Sequence, residues 1–73
     1  MNKKQFIKSL EQIIKKSSED QYDLVTEAID EIENDYVRGY FNCYIGIAND
    51  NGNTDDIAED ILHIAKTYSF NWE

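Results

Sequence analysis

The chain has 73 residues, 41% hydrophobic and 30% charged, and its fifteen acids against seven bases give a net charge of −8. That length leaves room for one core of modest stability, so a single domain over residues 1–73 is expected. The charge repels phosphate backbones and anionic lipid, which argues against direct nucleic-acid or membrane binding and favours a basic protein as partner.

No apolar run of about eighteen residues occurs, and Met1-Asn2-Lys3-Lys4 leads into Gln5, Lys8 and Glu11 rather than a signal core; a cytoplasmic protein is expected. The lone Cys43 excludes an internal disulfide and reads as a small buried hydrophobe in a reducing compartment.

Proline is absent and there are three glycines, which favours helices. The first spans Lys3 to Lys16, with Phe6, Ile7, Leu10, Ile13 and Ile14 at helical spacing. Its last residues, Lys15 and Lys16, suit the negative end of the helix dipole. Ser18-Glu19-Asp20-Gln21 fits a capping box that opens a second helix.

From Glu19 the apolar spacing runs without interruption to Asn49, through Tyr22, Val25, Ile29, Ile32 and Tyr36, and predicts one long central helix. Beyond Tyr36 the polar face thins, and Gly39 or Gly46 is the expected place for a kink; a strand over residues 40–47 is the alternative. Asn49-Asp50-Asn51-Gly52-Asn53 is a turn, with Thr54 as cap of a third helix. Ile57, Ile61, Ile64, Ala65 and Tyr68 form the inner face of that helix, and Phe70 and Trp72 fold back on the core. The expected fold is all-α, a small three-helix bundle with a long central helix.

The Gly52 turn, with a small-and-apolar helix on each side, is similar to a tetratricopeptide hairpin over about thirty residues. No second copy follows at that period, a single repeat does not bury its own face, and no family is assigned.

The central helix carries Glu19, Asp23, Glu27, Glu31 and Asp35 four residues apart, with Asp20, Asp30 and Glu33 beside them. Those eight acids occupy seventeen residues, one charge per ~3 Å of helix axis at ~1.5 Å per residue, close to the ~3.4 Å spacing of phosphates along one DNA strand. Residues 1–18 carry five lysines and Glu11, for +4, whereas residues 19–38 carry eight acids and Arg38, for −7; the lysines offset only part of the row. A second row, Leu24, Ala28, Ile32, Tyr36, Tyr40 and Tyr44, supplies core at its start and three tyrosines suited to binding at its end.

No nucleophile with its base, no phosphate loop and no metal-ligand cluster stands out, so no catalytic residue, cofactor or metal is assigned. His63 has only Glu59 at a metal-sharing spacing, and the Gly52 loop puts Ile47 and Ala58 at the end positions of a calcium loop. Size and charge resemble small acidic inhibitors such as nuclease immunity and anti-CRISPR proteins. The expected function is docking on a basic nucleic-acid-handling protein through Glu19, Asp20, Asp23, Glu27, Asp30, Glu31 and Asp35, with Tyr36, Tyr40 and Tyr44 as anchors. The alternative is a structural or regulatory module that self-associates, as a homodimer, through the apolar second half of the central helix, on the excess of large apolar residues from Tyr36 to Ala48.

Overall fold

A computed structural model describes residues 1–16 and 21–72. The described residues form four helices, α1 (Lys3–Lys16), α2 (Gln21–Asp30), α3 (Asp35–Asp50) and α4 (Ile57–Thr67), with no strand among them. About three quarters of these residues are helical. The capping box assigned to Ser18-Glu19-Asp20-Gln21 lies, apart from Gln21, outside the described residues.

The expected long central helix is two helices. The last turn of α2 tightens: Glu31 N donates to the Ala28 carbonyl at 3.3 Å and Ile32 N to the Ile29 carbonyl at 3.0 Å. Asn34 then takes an extended conformation, and its Oδ1 accepts from Val37 N at 3.1 Å, so it is the N-cap of α3. Arg38 Nη1 donates to the freed Ile32 carbonyl at 2.7 Å and pairs with Asp35. The interruption therefore falls at residues 31–34, and α3 runs through both Gly39 and Gly46.

The turn after α3 follows the sequence. Gly52, at φ 72°, takes the left-handed position. Its N donates to the Asn49 carbonyl at 3.1 Å and Asn53 N to the Ala48 carbonyl at 2.8 Å, the hydrogen-bond pair of a Schellman motif. At the other end of the chain, Asn2 and Gln5 cap α1 reciprocally, Asn2 Oδ1 accepting from Gln5 N at 2.9 Å. The N-cap position of α4 is held by Asp56 rather than Thr54, with no capping hydrogen bond from its side chain.

The core takes Phe6, Leu10 and Ile13 from α1, Val25, Ala28 and Ile29 from α2, Ile32, Val37, Phe41 and Ile45, and Ile57, Ala58, Ile61 and Ala65 from α4. α1 packs on α2 and α4, and α3 packs on the same two helices. Phe6 and Phe41 bridge α1 to α3 with ring centroids 5.2 Å apart. The tail folds back as expected: Trp72 lies 5.5 Å from Phe6 and 6.0 Å from Phe41, and Phe70 5.4 Å from Phe41. Asn34 Nδ2 donates to the Asn71 carbonyl at 2.7 Å, which ties the tail to the α2–α3 break. Two expectations about burial are corrected. Cys43 is exposed because it falls on the side of α3 opposite Val37, Phe41 and Ile45, and Tyr68 is 51% exposed because α4 ends one residue before it.

Candidate binding surfaces

α2 buries Gln21, Val25, Ala28 and Ile29, and this fixes what points away. Asp23, Glu27 and Asp30, at spacings of four and three, share its outward face and are exposed. Glu27 and Glu31 also border a furrow between α1 and α2, with Gln12 and Lys16 on its other bank. Glu31 and Glu33 sit in the connection and Asp35 in the first turn of α3. The acidic row is thus interrupted at Ile32–Asn34: Asp23, Glu27 and Asp30 stay together, and Asp35 belongs to another helix. Glu19 and Asp20 lie outside the described residues.

Among the described residues the one ion pair within 4 Å joins Arg38 to Asp35. Lys3, Lys4, Lys8, Lys15 and Lys16 make none with the acids of α2, so direct pairing does not offset that face.

The tyrosine row is divided too. Ala28 and Ile32 are buried and Leu24 half-buried, while Tyr36 is 74% exposed. Tyr40 and Tyr44 are half-buried along the edge of α3. Tyr40 rests on Phe70 at 4.9 Å and on Tyr68 at 5.9 Å. Burial pushes the Tyr40 phenol above its ordinary pKa, and the hydrogen bond to Tyr68 and the neighbouring phenols of Tyr68, Tyr36 and Tyr44 add to this. Tyr44 Oη donates to Asp60 Oδ2 at 3.4 Å; burial raises its pKa first, and the Asp60 charge and hydrogen bond raise it further.

This second surface extends beyond the three tyrosines singled out as anchors, within the apolar stretch Tyr36 to Ala48 and past it to Tyr68. Ile47, 56% exposed, and Tyr68 extend it, and Cys43 lies between Tyr40 and Ile47 in a shared hollow. A signal was present: no charged side chain occurs from residue 39 to residue 49, in a chain that is 30% charged.

His63 is exposed, and among the described residues no three metal-ligating side chains are grouped to hold a metal. No helix of the described residues is long and apolar enough to cross a membrane. No protein-family profile, curated protein or solved structure matches the chain.

Proposed function

We propose that the protein is a non-catalytic binding module that docks through the acidic face of α2 on the basic working surface of a nucleic-acid-handling protein, as an inhibitor of the immunity or anti-CRISPR kind. One observation carries this reading: Asp23, Glu27 and Asp30 stand on one exposed helix face with no ion-pair partner among the described residues. Like charges at this spacing destabilise a helix by ~0.2–0.5 kcal/mol per pair. A partner presenting lysine or arginine would relieve that repulsion and be steered toward it.

The break after α2 narrows the mimicry. A ten-residue helix at ~1.5 Å per residue is ~15 Å long, the span of about four phosphates on one strand. Its three exposed acids, Asp23, Glu27 and Asp30, span ~10 Å, or ~5 Å per charge against ~3.4 Å per phosphate, so the likeness to a backbone is one of charge sign rather than of spacing.

Capture from a nuclease-rich lysate at low salt, with release at high salt, supplies the partner. The test is then the association rate of Asp23→Lys/Asp30→Lys together with its melting temperature. Association should slow by about tenfold or more at low ionic strength, with stability kept or slightly raised. An unchanged rate would sink the proposal.

A further inference from the structure

Tyr36, Tyr40, Cys43 and Ile47 follow one another along α3 at spacings of four, three and four, the repeat by which one helix presents a seam to another. α2 and α4 cover the opposite side, where Val37, Phe41 and Ile45 are buried. Tyr36 is 74% and Ile47 56% exposed, and Tyr68 extends the face beside Tyr40.

The glycines of α3 are a second, independent observation. Gly39 and Gly46 lie inside the helix, and a Cβ at either would meet nothing within 4 Å. Neither has the positive φ that makes Gly52 necessary. Each lowers helix stability relative to alanine, and no contact among the described residues requires either. Both lie beside Cys43 on the outward side of α3, where a smooth flank allows a neighbouring backbone to come close.

Area and charge identify the occupant. At ~200 Å² for a tyrosine side chain, the exposures of Tyr36 and Tyr68 leave ~250 Å² of phenol uncovered. With Ile47, Cys43 and the open edges of Tyr40 and Tyr44, the face reaches roughly 500 Å², the size of patch that marks an interaction site. Two such faces would remove ~1,000 Å², the lower bound for a specific dimer. Two copies that each carry −8 meet with least repulsion where neither bears a charge, and residues 39–49 bear none.

We infer that α3 packs antiparallel against α3 of a second copy, about a two-fold axis that crosses between Phe41 and Asn42. Tyr36 then lies over Ile47 of the second copy and Tyr40 against its Cys43, and the two-fold repeats both layers in reverse. The antiparallel sense opposes the helix dipoles. This register places Asp35 over Ala48 of the second copy and Asp50 near its Glu33, so the like charges stand at the two ends of the seam, where salt screens them. An in-register parallel pair would set Asp35 against Asp35 and Asp50 against Asp50. This inference concerns a different face from the acidic one on α2, and salt separates the two: it weakens docking on a basic partner and strengthens pairing of two anionic copies.

The experiment is sedimentation velocity of the full chain from micromolar to millimolar concentration, at low and high salt. Wild type should form a dimer that tightens with salt. Ile47→Asp, at a site already exposed, should keep its helical circular dichroism and weaken the dimer by at least about thirtyfold. Gly39→Ala/Gly46→Ala should raise the melting temperature of the dilute monomer and weaken the dimer, a combination that a purely structural role for the glycines does not give. Cys43 should react with a thiol reagent more slowly as concentration rises. A monomer throughout the range at both salts overturns the inference, even if a foreign protein binds the face. So does a dimer that Ile47→Asp leaves intact, one in which Cys43 reacts at the monomer rate, or one that both alanines leave as tight as wild type.

Discussion

The outward faces of α2 and α3 are opposite in chemistry although each helix packs its other side on the same core. α2 follows the rule for a surface helix, with Val25, Ala28 and Ile29 inside and Asp23, Glu27 and Asp30 outside. α3 departs from it: inside are Val37, Phe41 and Ile45, and outside are Tyr36, Gly39, Cys43, Gly46 and Ile47. A charged face needs no covering and is still costly when the charges are alike; an apolar face is costly until something covers it. Each helix thus leaves a different free-energy term unmet within the chain, and each points to a different kind of contact.

Substitutions on the two sides of α3 test this contrast most strongly. Phe41 is fully buried and touches Phe6, Tyr40, Phe70 and Trp72. Phe41→Ala should cost about 3–5 kcal/mol, a large share of the stability of so small a domain. Tyr36→Asp, one and a half turns away on the outside, should change the stability of the dilute monomer by no more than about 0.5 kcal/mol. Urea unfolding followed by circular dichroism measures both. Equal losses would show that the outward face is needed for folding and remove the contrast.

The break between α2 and α3 gives the next effect in size. Asn34→Ala removes the side-chain cap of α3 and the tether to Asn71, and should lower stability by about 1–2 kcal/mol in a thermal melt. A more stable variant would mean that one continuous helix competes with the turn, and that Asn34 does not hold it. A smaller effect belongs to α2 alone. Glu27→Lys should leave stability unchanged or raise it by a few tenths of a kcal/mol, since it removes like-charge neighbours at Asp23 and Glu31. A clear loss would show that Glu27 has a stabilising partner.

These comparisons also show where the sequence is informative. α1, the Gly52 turn and the return of Phe70 and Trp72 were legible because each rests on a local pattern: apolar residues at helical spacing, a glycine where φ is positive, aromatics after a helix end. The all-helical class followed from the missing proline and the spacing of Val25, Ile29, Ile45 and Ile61. The α2–α3 break was not read, although Asn34 is a strong N-cap residue. The apolar period passes through Ile29, Ile32 and Tyr36 without a gap, and no glycine or proline marks the turn. What accompanies it is the burial of Ile32 in the core, a tertiary effect, and the capture of its carbonyl by Arg38 six residues on, neither of which interrupts the apolar period. The same misreading joined Asp35 to the acids of α2 and Tyr36 to the core row of Leu24, Ala28 and Ile32. Cys43 was expected inside because its neighbours are apolar; composition does not say which side of a helix is covered when both sides are apolar.

The smallest effect comes from the phenols at the edge of α3. Tyr40 and Tyr44 both have pKa values raised above the ordinary phenol value of 10.0, first by burial, then for Tyr40 by the hydrogen bond to Tyr68 and for Tyr44 by the charge of Asp60. The folded state therefore holds these two protons more tightly than the unfolded state does. The contribution is fully present below the unfolded pKa of about 10 and is lost as pH rises through the higher folded values. Alkaline titration should show Tyr40 and Tyr44 ionising late, in step with a decline in stability above about pH 10. Absorbance of the phenolates in wild type, Tyr40→Phe and Tyr44→Phe separates the two contributions, each variant lacking one late-ionising phenol. Tyr44→Phe also removes the donor to Asp60, and because that bond is long and exposed, its loss should cost less than about 1 kcal/mol at neutral pH. If pairing of two copies through α3 covers Tyr40 and Tyr44 further, their ionisation should move to still higher pH as concentration rises. A titration independent of concentration, in a sample shown to be dimeric, would place the interface elsewhere.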